Sequence, residues 1–599
     1  MAPRVNARLL ARSLWGGFDV FAHDGLPLSS VDAEMGLVCR CLCRCFLRPL
    51  PRASGGPGGS VAALNLLAQP LIRVQAGRGP VQRLTLPQLL ACLSAAQALD
   101  FPVLRPHQQP AWHAFLVQLA FLALELADTD EPPTDPAAWA RLLRGLTPEH
   151  SDDAPWCLVV DDWQQPAFLQ SPCRPGAEAD YKRVLASAQE IDLLITSKNH
   201  DEKVGKMACI TADDADLLVY ALVSLQGFAG FLGAGNYNTM RMNGGFASRA
   251  QFRLAFARGS GPEFLRDLGM LLMHADGLRE RALGIGIGTA LRYRLLWLAP
   301  WGDAALPLEA VHPLCLEVCR RVRLRLASDV LQALTAGSKT ARVDAKLRNG
   351  IVLDPWLPVV KDGEARALTA QTGSFGYRQL SPVLFEGQRY ELPLLARPQA
   401  GAGHAGVLVA QVLVGGSGRT DGLLRREIPM RGVVLRKFAD ARDELALRAQ
   451  QFIEIASTLQ GKVLRPALLQ YIDGSAEPAW KNGDFAKYVA PWISQFDQQV
   501  DEVFYPALFD TVEAELADHA AQAAWLQTLL GLAREIFARA TEALPSRDGS
   551  RLIALARAQR LMSGGLLKQF GDLLPAPPSS ASQPVAALAP LEPDHAEPR

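Results

Sequence analysis

Nowhere in these 599 residues does an apolar run reach the ~18 residues that a membrane-spanning helix needs. The longest apolar stretch, Phe115 to Leu126, is interrupted by Gln118 and Glu125, which predicts a buried helix instead. Net charge is also missing: 61 basic residues balance 61 acidic ones. Any site for a polyanion must therefore come from local clustering. Met1 to Ser30 lacks the charged, apolar and cleavage-site order of a secretory leader. The ten cysteines show no evenly spaced disulfide framework, so a reducing cytoplasm is the expected location. Cys39, Cys41, Cys43 and Cys45 alternate with other residues, a spacing that does not suit a zinc knuckle. Cys315 and Cys319 are expected to be core thiols one helical turn apart.

The usual signatures of catalysis are absent as well. Gly233-Ala234-Gly235 has no third glycine where a dinucleotide fingerprint requires one. Gly284, Gly286 and Gly288 are not followed by the Lys-Ser or Lys-Thr that ends a phosphate loop. Ser197 stands three residues before His200 without the elbow that would hold a nucleophile against its base. Two carboxylate groups could attract a metal: Asp161 with Asp162, and Asp213 with Asp214 and Asp216. The second falls where a helix should begin, and acidic residues in a first turn are stabilised by the helix dipole. No catalytic residue, cofactor or metal is expected. Two other readings stay open: a metal-dependent nuclease built on Asp213, Asp214 and His200, and a pure protein scaffold.

What the chain does contain is a globular composition, 49% apolar and 20% charged, too long for one core. Residues 1–61 form an atypical extension ending in a Gly-rich linker. Residues 62–436 read as a mixed α/β domain. It opens on a strand pair, Leu64 to Val74 and Val81 to Leu86, followed by helices at Leu86 to Ala96 and Ala111 to Ala127. Further β-rich text lies at Val352 to Val360, Gly406 to Val414 and Leu423 to Leu435. Residues 437–572 carry four amphipathic stripes: Leu445, Phe452, Ile455, Ala456 and Leu459; Val500, Phe504 and Leu508; Leu526, Leu529, Ala533, Ile536 and Ala540; and Leu552, Leu555, Ala556 and Leu561. These predict a four-helix bundle. A Pro, Ala and Ser tail, 573–599, is expected to be disordered. The class is α+β.

The strongest local signal is Gln226 to Gly259, which has no acidic residue at all. It holds Gly227, Gly230, Gly233, Gly235, Gly244 and Gly245 among Asn236, Tyr237, Asn238, Arg241, Asn243, Arg249, Arg253 and Arg258. Glycines let a backbone approach a phosphate or groove edge, Asn and Arg donate hydrogen bonds, and Tyr offers a stacking face. A side chain at Gly235 should therefore block approach. The same glycines also suit a turn packed under a sheet. Other basic clusters are Arg320, Arg321, Arg323 and Arg325; Lys339, Arg342, Lys346 and Arg348; and Arg419, Arg425, Arg426, Arg431, Arg436 and Lys437. The Thr196 to Lys203 stretch reads as a polar, lysine-bearing loop.

Several of these segments, in order, resemble one family. They are Leu64-Asn65-Leu66-Leu67 with Pro70 and Val74, the loop at Lys198, Asn199, His200 and Asp201, Gly233 to Arg249, Asp354-Pro355-Trp356 with Pro358 and Val359, and the final helices. Over residues 62 to 572 the series is similar to the CasA large subunit of the type I-E CRISPR surveillance complex, Cascade. The resemblance implies a non-catalytic subunit that touches the 5′ handle of the guide RNA and reads a protospacer-adjacent motif in double-stranded target DNA. It also implies that the subunit helps open the strands and recruits a helicase-nuclease, working with the other Cascade subunits and no membrane. Carried over residue by residue, Lys198, Asn199 and Lys203 fall on the guide-handle loop. Gly233, Gly235, Asn236 and Asn238, with Arg241, fall on the loop facing the motif's minor groove, and Lys339 is the candidate for the lysine that approaches it. Arg419, Thr420 and Asp421 fall at the tip of a wedging hairpin, where some members carry a glutamine. A cysteine-rich insertion of some relatives is absent, so zinc is not expected.

Overall fold

Turn residues cut the first apolar text into short strands. The computed structural model describes residues 63–185, 188–192, 210–245, 248–256, 258–327, 330–398, 405–416, 419–476, 483–545 and 551–575. Chain contacts divide the protein into Met1–Gly59 and Ser60–Arg599, and every described residue belongs to the second unit. Strand β1 (Ala63–Asn65) is separated by a turn from β2 (Ile72–Val74), so Leu64 to Val74 is not one strand. β2 pairs antiparallel with β3 (Gln82–Leu84), as the turn at Gly77 requires, whereas β1 pairs with β4 (Cys157–Val159).

Helix α1 (Leu86–Ser94) opens on a capping box: the Thr85 hydroxyl accepts from the Gln88 N–H, and the Gln88 side chain accepts from that of Thr85. Both orphan donors are thereby satisfied. Helix α2 (Gln109–Leu126) is the expected buried helix. Its polar Gln118 is tolerated because the amide donates to the Leu314 carbonyl at 3.1 Å and accepts from Arg249 at 3.3 Å, which removes the cost of burying it.

The strands that matter for function form two sheets. In the first, β5 (Arg183–Leu185), β6 (Ile210–Thr211) and β8 (Arg321–Ala327) all pair antiparallel with β9 (Val330–Ala336). Helix α3 (Ala215–Phe228) follows β6. In the second, β7 (Gln251–Ala255) lies beside a long hairpin of β10 (Ala405–Gly416) and β11 (Arg419–Arg431), in the order β11-β10-β7. Val352 to Val360 is mostly irregular, with strand only at Val359–Val360; Pro355 and Pro358 cannot donate to a ladder. The expected strand from Leu423 to Leu435 stops at Arg431, where Gly432 (φ +53°) turns the chain into helix α4 (Gly432–Asp440). The Glu513 carboxylate accepts from the Val433 and Val434 N–H groups at 3.2 Å, supplying a cap from another helix.

Beyond α4 come α5 (Arg442–Thr458), α6 (Arg465–Asp473), α7 (Gly483–Glu513), α8 (Asp518–Ala543) and α9 (Arg551–Phe570). A π-helical turn, Leu459–Leu464, joins α5 to α6. Pro466 follows it, and proline lacks the N–H that a regular helix would use there. The first three expected stripes are buried, but the fourth is split: Leu555 and Leu561 are half-buried, whereas Leu552 is 79% exposed and Ala556 is exposed too. The buried side of α9 is Ala554, Ala558 and Met562. Two large apolar clusters result. One gathers α1 to α3 and β8 to β9. The other joins Phe252, Leu254, Val412 and Val414 of the hairpin sheet to Phe452, Phe504 and Trp525 of the helices. Among the described residues no helix is long and apolar enough to cross a membrane.

Candidate nucleic-acid interface

Most arginines of the acid-free stretch point inward. Arg241 is 1% exposed. It is ion-paired to Glu317 and donates to the Pro313 carbonyl at 2.8 Å and that of Cys315 at 3.1 Å. Burial by itself would lower its proton affinity, but Glu317, with smaller help from Cys315 and Asp354, leaves it raised. A guanidinium so enclosed cannot reach a groove, and the expected DNA contact at Arg241 is corrected to a structural one. Arg249 is equally buried: it is paired with Asp354 and lies against the rings of Phe228 at 4.9 Å and Trp356 at 5.0 Å. Arg253 pairs with Glu263. The Asp354-Pro355-Trp356 segment is thus the anchor for the far end of the glycine-rich stretch.

The glycines build a turn at the surface. Gly233 (φ +98°) and Gly235 (φ +81°) occupy a region that other residues avoid. The Asn236 N–H donates to the Gly233 carbonyl at 3.0 Å, and the Leu232 N–H returns to the Asn236 carbonyl at 3.0 Å. A Cβ on Gly235 would point at Gly337 and Ser338, 3.4–3.5 Å away, whereas one on Gly233 meets nothing within 4 Å. A side chain would therefore stand in open space at Gly233, and Gly235 is where the turn packs on the Gly337 segment. Asn238 spends its amide on the Met242 carbonyl at 2.7 Å. The Asn236 side chain is half-buried and has no hydrogen bond among the described residues.

Lys339 lies beside this turn. The Ser338 N–H donates to the Gly235 carbonyl at 3.1 Å, and the Tyr237 hydroxyl donates to the Lys339 carbonyl at 2.9 Å. Tyr237, expected to offer a stacking face, is thus a strut between the two segments. Lys339 itself is exposed and makes no ion pair among the described residues. The segments carrying Gly233, Asn236 and Lys339 are thus joined at Gly235 and Tyr237, whereas Arg241 is enclosed.

The hairpin projects past its sheet. β7 pairs with Val407 to Gln411 of β10 only, and Ser248 extends the contact to Leu413. Beyond that the two strands pair with each other alone among the described residues. Gly415 stands opposite Thr420 and Gly416 opposite Arg419, while the register slips between Val414 and Gly415. Asp421 is consequently the extra residue of a bulge, followed by Gly422 at φ +104°. Such a bulge adds twist to the strand pair. At the base, Arg426 of β11 is ion-paired to Asp501 of α7.

Lys198, Asn199, Lys203 and His200 lie outside the described residues. The structure holds both flanks of their segment. On one side Asp192 is buried against His107 at 2.7 Å and Gln108 at 2.8 Å. On the other, Arg73 grips Asp216 and Asp214. The acidic residues do stand at the start of α3, with Asp216 in its first turn, but Asp214 makes no side-chain cap there, and Arg73 clamps Asp214 and Asp216 as well. Neither Arg73 nor Gln226 was legible as structural in the sequence. The Gln226 amide donates to the Leu169 and Arg320 carbonyls at 3.0 Å and accepts from the Cys319 and Arg320 N–H groups. Cys315 belongs to a strand, Val311–Leu316, not to a helix shared with Cys319, though both thiols are buried; burial pushes that of Cys315 up to about 12.

With this geometry in place, the chain can be set beside known proteins. A family model described as CRISPR-associated protein Cse1 matches residues 65–536. Among solved structures, Cse1 from Acidimicrobium ferrooxidans is similar at 15% identity, with a TM-score of 0.58, covering 87% of this chain and 100% of that one. CasA from Thermus thermophilus is similar at 17% identity and a TM-score of 0.57, covering 84% and 100%. Cse1 from Thermobifida fusca is similar at 15% identity and a TM-score of 0.55, covering 85% and 98%. At these identities the likeness is one of fold. No curated protein matches the chain.

Proposed function

We propose, from the premise that this chain belongs to the Cse1 (CasA) family of the type I-E Cascade complex, that it reads the protospacer-adjacent motif of target DNA through the turn at Gly233 to Asn236 and Lys339. The observation that carries this reading is the docking of Gly235 on Ser338 and of Tyr237 on Lys339. It brings a backbone bare of side chain at Gly233 together with a cation that has no ion pair among the described residues, a combination suited to a narrow groove lined by acceptors and flanked by phosphates. The subunit is non-catalytic and cytoplasmic. Lys198, Asn199 and Lys203 contact the guide RNA handle, and the assembled complex goes on to recruit a helicase-nuclease.

Lys339→Ala in the guide-loaded complex is expected to weaken binding to a motif-bearing duplex by about tenfold, the loss shrinking as salt rises, because one phosphate or groove contact is removed. Unchanged affinity at low salt would remove Lys339 from the interface.

The projecting hairpin is assigned to strand opening. Separating base pairs costs roughly 1–2 kcal/mol per step before guide pairing offsets it. Deleting Gly415 to Gly422 should therefore impair binding to intact duplex and be substantially rescued by an unpaired bubble beside the motif. Equal loss on both substrates would sink the wedge role.

A further inference from the structure

Three arginines near this surface are buried without an acid. Arg320, Arg323 and Arg342 are 7%, 0% and 5% exposed, and none is within ion-pair distance of a carboxylate among the described residues. Arg320 donates to the Gly230 carbonyl at 2.7 Å and to that of Tyr237, gripping both ends of the glycine turn. Arg342 donates to the Pro300, Leu296 and Ala299 carbonyls at 2.7–3.0 Å and reaches the Ser171 hydroxyl at 3.3 Å. Arg323 donates to the Gln165 carbonyl at 3.0 Å and lies 5.8 Å from the Trp163 ring, with Nε and one Nη atom unpartnered. The contacts close a circuit. Arg320 holds Tyr237, Tyr237 holds Lys339, Arg342 follows Lys339 in the chain, and Arg342 and Arg323 meet the adjacent residues Ser171 and Gln170.

Burying a cation is costly unless a counter-charge is present. Here the compensation comes from neutral carbonyl dipoles, three times in one region, whereas the other buried arginines among the described residues, Arg241, Arg249 and Arg253, have acids. The nearby carboxylates are engaged elsewhere: Asp180 with Arg321, Asp303 with Arg174, Glu317 with Arg241. Asp162 attracts Arg323 without pairing with it. Burial pulls Arg323 and Arg342 down to about 10, so both remain protonated at neutral pH.

We propose that Arg320, Arg323 and Arg342 form a buried cationic floor under the glycine turn and Lys339, drawing the DNA backbone to that face without touching it. This rests on the DNA-reading function and names the source of its attraction in a chain of zero net charge. A charge behind protein acts through a lower dielectric than an exposed one and is not lost to a surface partner.

The test exchanges charge separately from hydrogen bonding. Guide-loaded complexes carrying Arg323→Gln and Arg323→Lys are compared with wild type for the association rate on a motif-bearing duplex at low salt, alongside their melting temperatures. The glutamine variant should associate about five- to tenfold more slowly. The lysine variant should associate at nearly the wild-type rate even though it too loses the carbonyl bonds and melts lower. Arg442→Gln, which removes a half-buried arginine of α5 bonded to the Leu384 carbonyl, should leave the rate unchanged. If Arg323→Gln does not assemble, the same pair at Arg342 supplies the comparison. Equal slowing by Gln and Lys, or by neither, overturns the floor. Absence of any Lys339-dependent binding by the wild type would instead overturn the DNA-reading function itself.

Discussion

Glu317→Ala is expected to lower the unfolding free energy by about 3–5 kcal/mol, since it strands the Arg241 guanidinium in the interior without its counter-charge. The site is fully enclosed: Arg241 is 1% and Glu317 5% exposed. The second Glu317 oxygen accepts from the Met240 N–H at 2.8 Å, so the substitution also orphans a buried backbone donor at the end of the glycine turn. Urea unfolding of the isolated chain measures the loss directly through its midpoint. Set against the ~5–15 kcal/mol that holds a typical domain together, this is a large fraction. A shift below about 1 kcal/mol would mean that water reaches the pair and that Arg241 is available to a ligand after all.

Gly233→Asp should weaken binding of the guide-loaded complex to a motif-bearing duplex by about 2–3 kcal/mol, roughly 30- to 150-fold. Two effects combine. The new side chain projects into the open space over the turn, where a groove edge would approach, and its charge is repelled by phosphates. Gly233→Ala separates them, retaining the φ +98° strain and a small part of the obstruction without the charge. It should cost clearly less. A Gly233→Asp complex that binds as tightly as wild type would show that this turn does not face DNA. Gly235→Asp is the less informative change, because its side chain would press on Gly337 and Ser338 and disturb the platform itself.

The expected α+β class, with helices following a mixed region, is what the structure has, and so are the buried α2 and the antiparallel pair at β2 and β3. Those features rest on local periodicity and turn chemistry. The misreadings have a common physical origin in partners distant along the chain. Arg241 and Arg249 look like surface cations in any short window, and their acids, Glu317 and Asp354, lie 76 and 105 residues away. The helix start at Asp216 was legible, but not its partner Arg73, 143 residues away. One local cue did exist. Arg249, Gln251 and Arg253 alternate with Ala250, Phe252 and Leu254, a strand text whose both faces turn out to be buried.

In α9 the cause is different. The leucines mark the apolar stripe in the sequence, but close approach to the π-helical turn favours small residues on the inward face. A Cβ on Gly565 would stand 3.5 Å from the Lys462 carbonyl and the Val463 side chain, and Ala554 and Ala558 continue that narrow face. The docking of Lys339 beside the glycine turn was beyond reach of spacing alone. It depends on β8 and β9 returning the chain to Gly337, whose neighbour Ser338 bonds the Gly235 carbonyl from about a hundred residues further along; the resemblance named Lys339, and the fold supplies the neighbour.

Whether this chain confers motif reading on its complex is tested most directly by comparing guide-loaded complexes assembled with and without it. Equilibrium binding is measured at one fixed salt concentration on two duplexes with the same guide-matched target, one with the adjacent motif intact and one with it scrambled. Preference for the intact motif is expected only when the chain is present, and Lys339→Ala should reduce it. The same preference without the chain, or none with it, would contradict the motif-reading role.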